Sequence, residues 1–315
     1  MTRNSSGTSS GQLFETIVCP LCDTDRWDVV RPSTYSPDVT AEDIRKLYSA
    51  SSAHALNDQV VRCASCSLVY VNPRPATELT IASYSDAVDP TFVAQNESRI
   101  STFTRTLRGV LRKLGQKGGE GRRLLDIGCA GGAFPCAARQ LGFDPVGVEP
   151  SRWMADYARR TYGLDVRDGI LNPGMFAPGS FDVITLWDVI EHVPQPNQVL
   201  DLAFDLLKPG GLLLVNYPDV GSLAARLLGR HWPFWLSVHL FYYTRTTMAR
   251  QLSRARFKLL WLEPCWQQLP LGYVLQRAAN DFPPAGWLIP LVRGLRMDKI
   301  SVTYNMGQVL AVSQK

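Results

Sequence analysis

LLDIGCAGGAF, Leu124 to Phe134, decides how this chain is read. Leu124, Leu125 and Ile127 form a short apolar run suited to a buried parallel strand, and Gly128, Gly131 and Gly132 follow where the chain must turn sharply. A helix is expected next, with Pro135 in its first turn, where a missing N–H costs nothing, and Gly142 at its end. Twenty-one residues beyond Gly128, the stretch VGVEPS puts Glu149 at the tip of a second strand. Glycines let the backbone approach a ligand closely, and a carboxylate at the next strand tip can accept hydrogen bonds from both hydroxyls of a ribose. Together they read as a site for a nucleotide-type cofactor. The glycine spacing is looser than the G-x-G-x-x-G of dinucleotide enzymes.

Two further stretches extend the pattern. FDVITLWDVIEHV, Phe181 to Val193, is an apolar strand with a polar tip that precedes a helix, and LLKPGGLLLVNYPD, Leu206 to Asp219, gives a turn and another buried strand. With these four motifs in order, the chain from about Arg122 onward resembles the class I S-adenosylmethionine-dependent methyltransferases, in particular the branch similar to the ubiquinone-pathway O-methyltransferase. It departs at Ala130, where the family's loop more often has glycine. The resemblance implies an α/β fold with a Rossmann-like, seven-stranded, mostly parallel sheet, binding its ligands outside the carboxyl ends of the strands. It implies that Asp126, Gly128, Cys129 and Gly132 surround the methionine portion of S-adenosylmethionine and that Glu149 holds the ribose. Asp168 with Gly169 is then expected to meet the adenine, and Trp187 with Asp188 to flank the sulfonium.

Four of the seven cysteines make a second pattern, CPLC at Cys19 and Cys22 and CASC at Cys63 and Cys66. Two C-x-x-C knuckles supply the four thiolates of a tetrahedral structural Zn²⁺ site, with disulfides or a redox pair as the alternatives. Forty residues separate the knuckles, so an insertion over 34–57 is expected, carrying a short helix at 41–49 and including His54. The region again resembles bacterial methyltransferases with an N-terminal zinc ribbon, many from polysaccharide or secondary-metabolite pathways. In many such ribbons glycine follows the second cysteine of each knuckle, where this chain has Asp23 and Ser67. Cys129, Cys136 and Cys265 lack partners at ligand spacing and read as small buried hydrophobes.

At 315 residues with 45% hydrophobic content the chain exceeds one ordinary domain, and its net charge of +5 is mild. MTRNSSGTSSGQ lacks the apolar core of a signal peptide, and a cytoplasmic location is expected, which favours reduced thiols. The expected division is a disordered tail at 1–12, a zinc-ribbon lobe at 13–85, a basic amphipathic helix and linker at 86–121, and a methyltransferase domain at 122–315. Ile100, Phe103, Leu107, Val110, Leu111 and Leu114 set the apolar face of that helix, which the periodicity extends over 90–114. Arg256 to Glu263 and Ser301 to Val312 read as the last two strands.

An acceptor that must lose a proton needs a base, and histidine is the usual choice. His192, beyond the fourth strand of the sheet, ranks first and His239 second, with His231 nearby. Two aromatic insertions, 221–243 and 264–298, are expected to bind the acceptor or a membrane surface. Three classes stay open: methyl transfer to oxygen or carbon of a small molecule, sugar or glycan intermediate that is lipid-linked or free; RNA base methylation with the ribbon gripping nucleic acid; and a binding module without catalysis.

Overall fold

The computed structural model describes residues 13–48, 56–85, 87–281 and 286–315. The tail at 1–12 and His54 lie outside them. The N-terminal part runs β1 (Phe14–Glu15), β2 (Trp27–Arg31), α1 (Ala41–Leu47), β3 (Val60–Cys63), β4 (Val69–Val71), β5 (Arg74–Pro75) and α2 (Thr77–Ser85). Next come α3 (Pro90–Val93) and α4 (Asn96–Lys113). The central part is β6 (Arg123–Ile127), α5 (Ala133–Gln140), β7 (Asp144–Glu149), α6 (Arg152–Tyr162), β8 (Asp165–Asp168), β9 (Phe181–Trp187), α7 (Pro196–Leu206) and β10 (Leu207–Pro218). It continues through α8 (Leu223–Leu228), β11 (Phe241–Tyr242), α9 (Arg245–Arg254), β12 (Lys258–Pro264), β13 (Gln267–Pro270), α10 (Leu271–Asp281), α11 (Leu288–Gly294), β14 (Ser301–Tyr304) and β15 (Gln308–Gln314).

Seven strands form the main sheet in the order β12-β15-β10-β9-β6-β7-β8. β10, β9, β6, β7 and β8 are mutually parallel, and β15 runs antiparallel to both β10 and β12. Leu124, Leu125, Val183, Ile184, Leu213 and Leu214 are buried, as central parallel strands covered on both faces require. The strand order reverses at β6, between β7 and β9, and that reversal opens a crevice at the carboxyl ends of the strands. Leu107, Val110 and Leu111 of α4 bury against this sheet, with Phe103 packed beside them. Among the described residues no helix is long and apolar enough to cross a membrane.

Two expected elements are broken. The helix over 90–114 is two, α3 and α4, because Asp89 caps a short first helix by accepting from the Phe92 N–H and the chain turns at Ala94 and Gln95. The strand over 301–312 is also two. Asn305 donates to the carbonyls of Cys265 and Gln308 and accepts from the Gly307 N–H, and Gly307 sits at φ +105°, so β14 leaves the main sheet to pair with β13.

The four-cysteine region does not stand apart. Its antiparallel sheet is β11-β4-β3-β2, so a strand from the 221–243 segment completes it. Cys19, Cys63, Leu68 and Tyr70 belong to one apolar core with Leu125, Ile184 and Leu213.

Candidate functional site

The loop after β6 is built for close approach. Gly128 lies at φ +72°, and a Cβ there would come within 2.6 Å of the Val189 side chain. Gly132, the residue before α5, lies at φ +80°, where an added Cβ would press on Ala158 and Leu164. Ala130 takes φ +44°, a left-handed conformation that glycine adopts more easily, so the family's usual residue there has a backbone reason. Cys129 points inward, its sulfur seated where a Cβ on Gly147 would fall, which leaves only its backbone for a ligand.

Two buried carboxyls face this loop. Glu149 accepts from the N–H groups of Ala130 and Ser151, each at 2.8 Å, and burial outweighs those bonds and raises it to about 7. Asp126 accepts from the Thr185 hydroxyl at 2.6 Å, and burial raises it to about 8. Asp188, at φ +53° beyond β9, is half-buried and accepts from Asn216 at 2.8 Å and Gln308 at 2.9 Å. Burial raises its carboxyl too. Trp187 packs its ring on Phe134 and Phe103, with centroids 4.8 and 5.0 Å away.

Asp168 is a correction. It sits at the end of β8 as expected, but its exposed carboxylate is paired with Arg159 of α6 and does not line the crevice. Gly169, at φ +103°, turns the chain so that the segment from Gly169 to Pro173 forms that wall instead.

The crevice holds about 1120 Å³. Ordinary ligand sites hold roughly 300–1,000 Å³, so the space suits a cofactor together with an acceptor. Glu191, His192 and His239 line its far side. His192 Nδ1 lies 2.9 Å from the Val238 carbonyl and 2.8 Å from the Tyr84 hydroxyl. A carbonyl can only accept, so Nδ1 carries the proton and Nε2 is the basic nitrogen. Burial pushes His192 down to about 4, against the Val238 carbonyl, so the ring is neutral. His239 is edge-on to it, centroids 4.6 Å apart, with Nδ1 2.8 Å from the Phe234 carbonyl. Both oxygens of Glu191 are buried without a hydrogen-bond partner, and burial, with Asp188 nearby, raises its carboxyl well above the ordinary range. These three residues bring ligand atoms within 4.8 Å of one another, a donor set that suits a divalent cation. His231 is exposed on the outer surface beside Arg230.

Two crevice residues escaped the sequence reading. Tyr84 comes from α2, and Arg99 comes from α4, where its guanidinium lies 3.9 Å over the Phe92 ring with Nε unpartnered. Neither stands in a motif. Arg99 falls on the same helix turn as Ile100 and Phe103, the one signal that it would face inward.

Away from the crevice, the four knuckle thiols converge. Cys19 and Cys66 sulfurs are 3.5 Å apart and those of Cys22 and Cys63 3.4 Å, and all four lie within 4.8 Å. These spacings exceed a disulfide's roughly 2 Å and approach the ~3.8 Å between sulfurs on a tetrahedral zinc. Asp23 and Ser67 both adopt left-handed backbone, φ +59° and +65°, so the knuckles keep a glycine-like turn without glycine. Burial opposes ionisation of Cys63, but the N–H groups of Cys66 and Ser65 aimed at its sulfur outweigh it and bring the thiol to about 7.

An open α/β sheet with a glycine loop at its switch point and a carboxylate on the next strand tip defines a protein that binds a nucleotide-type ligand. Residues 99–261, just over half the chain, match the family model described as a methyltransferase domain, and the chain belongs to the class I S-adenosylmethionine-dependent methyltransferase family. It is 35% identical over 101 residues to the ubiquinone biosynthesis O-methyltransferase of Bordetella avium, covering 29% of this chain and 41% of the relative. It is 36% identical over 114 residues to that of Methylococcus capsulatus, covering 34% and 48%. The chain thus spans less than half the length of these curated relatives. A crystal structure of an S-adenosylmethionine-dependent methyltransferase from Archaeoglobus fulgidus superposes with a TM-score of 0.46 at 15% identity, covering 67% of this chain and 94% of that one.

Proposed function

We propose that this protein transfers the methyl group of S-adenosylmethionine to a hydroxyl oxygen of a small acceptor with an apolar body. The observation that carries the reading is the tautomer of His192, whose Nδ1 proton is taken by Val238 and whose basic Nε2 is left to receive a proton in a crevice shared with Gly128 and Glu149. Bound S-adenosylmethionine supplies an electrophilic methyl on a sulfonium. Glu149, ionised, accepts from the ribose hydroxyls; Asp126 and the Gly128, Cys129 and Gly132 backbone position the methionine portion; Arg99 pairs with its carboxylate. Gly169 closes on the adenine, and Trp187 and Asp188 flank the sulfonium. Holding the two reactants in line is worth about 7–11 kcal/mol of barrier, and removal of the acceptor proton by His192, with His239 and Tyr84 fixing its ring, adds a hundredfold to ten-thousandfold.

Oxygen is chosen over carbon because the curated relatives are named O-methyltransferases. RNA is not proposed. Arg105 and Lys113 of α4 are engaged by Gln268 and Glu263, and the acceptor side of the crevice is walled by apolar and aromatic groups such as Phe234, Leu236, Leu269 and Val274. We assign a structural Zn²⁺ to Cys19, Cys22, Cys63 and Cys66, within a lobe spanning about 13–85. The test is methyl-labelled S-adenosylmethionine with phenols and sugar alcohols of graded hydrophobicity. Label on the hydroxyl of apolar phenols is expected, and label only on nitrogen, on carbon or on added RNA would refute the reading.

A further inference from the structure

The surface of the 264–298 insertion and the turn after it carries a concentration of exposed apolar side chains that packing does not explain. Trp287, Leu288, Leu291, Leu295, Met297 and Ile300 are all exposed, at 80% for Trp287, 59% for Leu291 and 61% for Leu295. At 100° per residue the first four fall within an arc of about 100°. Ile289 and Val292 point the other way and are partly buried, so α11 already has an inner face and its outer stripe is additional. Arg296 and Lys299 alternate with Met297 and Ile300 in the turn beyond α11, and Arg293 lies on the helix outside the stripe; all three are exposed and without an ion pair among the described residues, against one acidic neighbour, Asp298.

We propose that this outer face of α11 is a docking surface for an anionic lipid bilayer. Apolar side chains led by a tryptophan, with cations in the adjoining turn, match the boundary between acyl chains and negatively charged headgroups. The place in the fold gives the surface a use. α11 packs on α10, and Tyr273, Val274 and Ala278 of α10 line the crevice, so one helix separates the bilayer from the acceptor space. An acceptor with an apolar tail would enter from the lipid side. The docking itself does not depend on which atom is methylated.

The experiment is flotation of the full chain with phosphatidylcholine vesicles, with and without phosphatidylglycerol, at low salt. Two variants accompany it, Trp287→Ser with Leu291→Ser, and Arg296→Gln with Lys299→Gln; all four sites are exposed, and thermal melting checks the fold. Binding to anionic vesicles is expected, weakened at least about tenfold by loss of the apolar pair and about fivefold per cation removed. Failure of the wild type to float, or equal flotation of both variants, would overturn the proposal. So would a self-associated wild type that ignores vesicles while Trp287→Ser with Leu291→Ser is monomeric, since the stripe would then join two copies of the chain.

Discussion

The two halves of the crevice are made differently. The cofactor half comes mostly from one continuous run of chain, β6 to the turn after β8, whose turns place Gly128, Gly132 and Glu149 by local backbone geometry, with Arg99, Trp187 and Asp188 added from α4 and the end of β9. The acceptor half is assembled from distant pieces: Tyr84 on α2, His192 after β9, His239 before β11 and Tyr273 on α10. Those pieces are clamped by hydrogen bonds. The Glu191 carbonyl accepts from the N–H groups of Leu240 and Phe241, the Leu240 carbonyl accepts from Val71, and β11 pairs with β4 of the cysteine lobe. The cofactor half should therefore survive damage that the acceptor half does not.

Metal removal tests that difference most severely. A structural zinc contributes on the order of 10–16 kcal/mol of apparent binding energy. Chelation, or Cys63→Ser, should unfold the β2–β3–β4 sheet, release β11 and abolish methyl transfer. Affinity for S-adenosylmethionine should fall far less than methyl transfer does, because the turns after β6 and β7 are set by local backbone geometry even though Leu125 and Ile184 share an apolar core with the cysteine region. Hydrogen exchange and calorimetric titration read the two halves separately; equal loss of both would erase the distinction.

The next effect is on the cofactor half alone. Glu149 is raised by burial to about 7, and only its ionised form can accept from both ribose hydroxyls. Affinity should fall by up to about tenfold per pH unit as pH drops below about 7, and Glu149→Gln should bind weakly with a shallower slope, since Asp126, raised to about 8, still titrates beside it. Stability of the cofactor-free protein runs the opposite way. A carboxyl raised in the folded state contributes fully below its ordinary 4.5 and loses that contribution as pH rises through about 7. Titration of binding and of thermal stability across this range checks both signs.

A smaller change sharpens the acceptor side. Tyr84→Phe removes one of two acceptors around His192 Nδ1 while Val238 keeps the other, so turnover should fall about fivefold, the worth of a single hydrogen bond near 1 kcal/mol. Steady-state kinetics should show this with unchanged cofactor affinity.

The same contrast explains what was legible in the chain. LLDIGCAGGAF and VGVEPS announce themselves because the strand, the glycines and the carboxylate must follow one another at fixed spacing. The cysteine knuckles are legible for the same reason, and even their missing glycines proved harmless, since Asp23 and Ser67 adopt the required backbone. Asp168 was misplaced because nothing local reveals that Arg159, one element earlier, would hold it outside the crevice. Tyr84 and Arg99 were invisible because their places in the crevice depend on where α2 and α4 pack, which is a tertiary fact. The break at Asn305 to Gly307 was hidden inside a run of good strand formers, where one side chain's three hydrogen bonds override propensity.

The most direct test of His192 as the base compares the wild type with His192→Ala, measuring the dissociation constant for S-adenosylmethionine by calorimetry and methyl transfer in a single turnover. With His192 as the base, binding should be unchanged within about twofold and transfer slowed at least about a hundredfold. Unchanged transfer, or a loss of binding as large as the loss of rate, would contradict it.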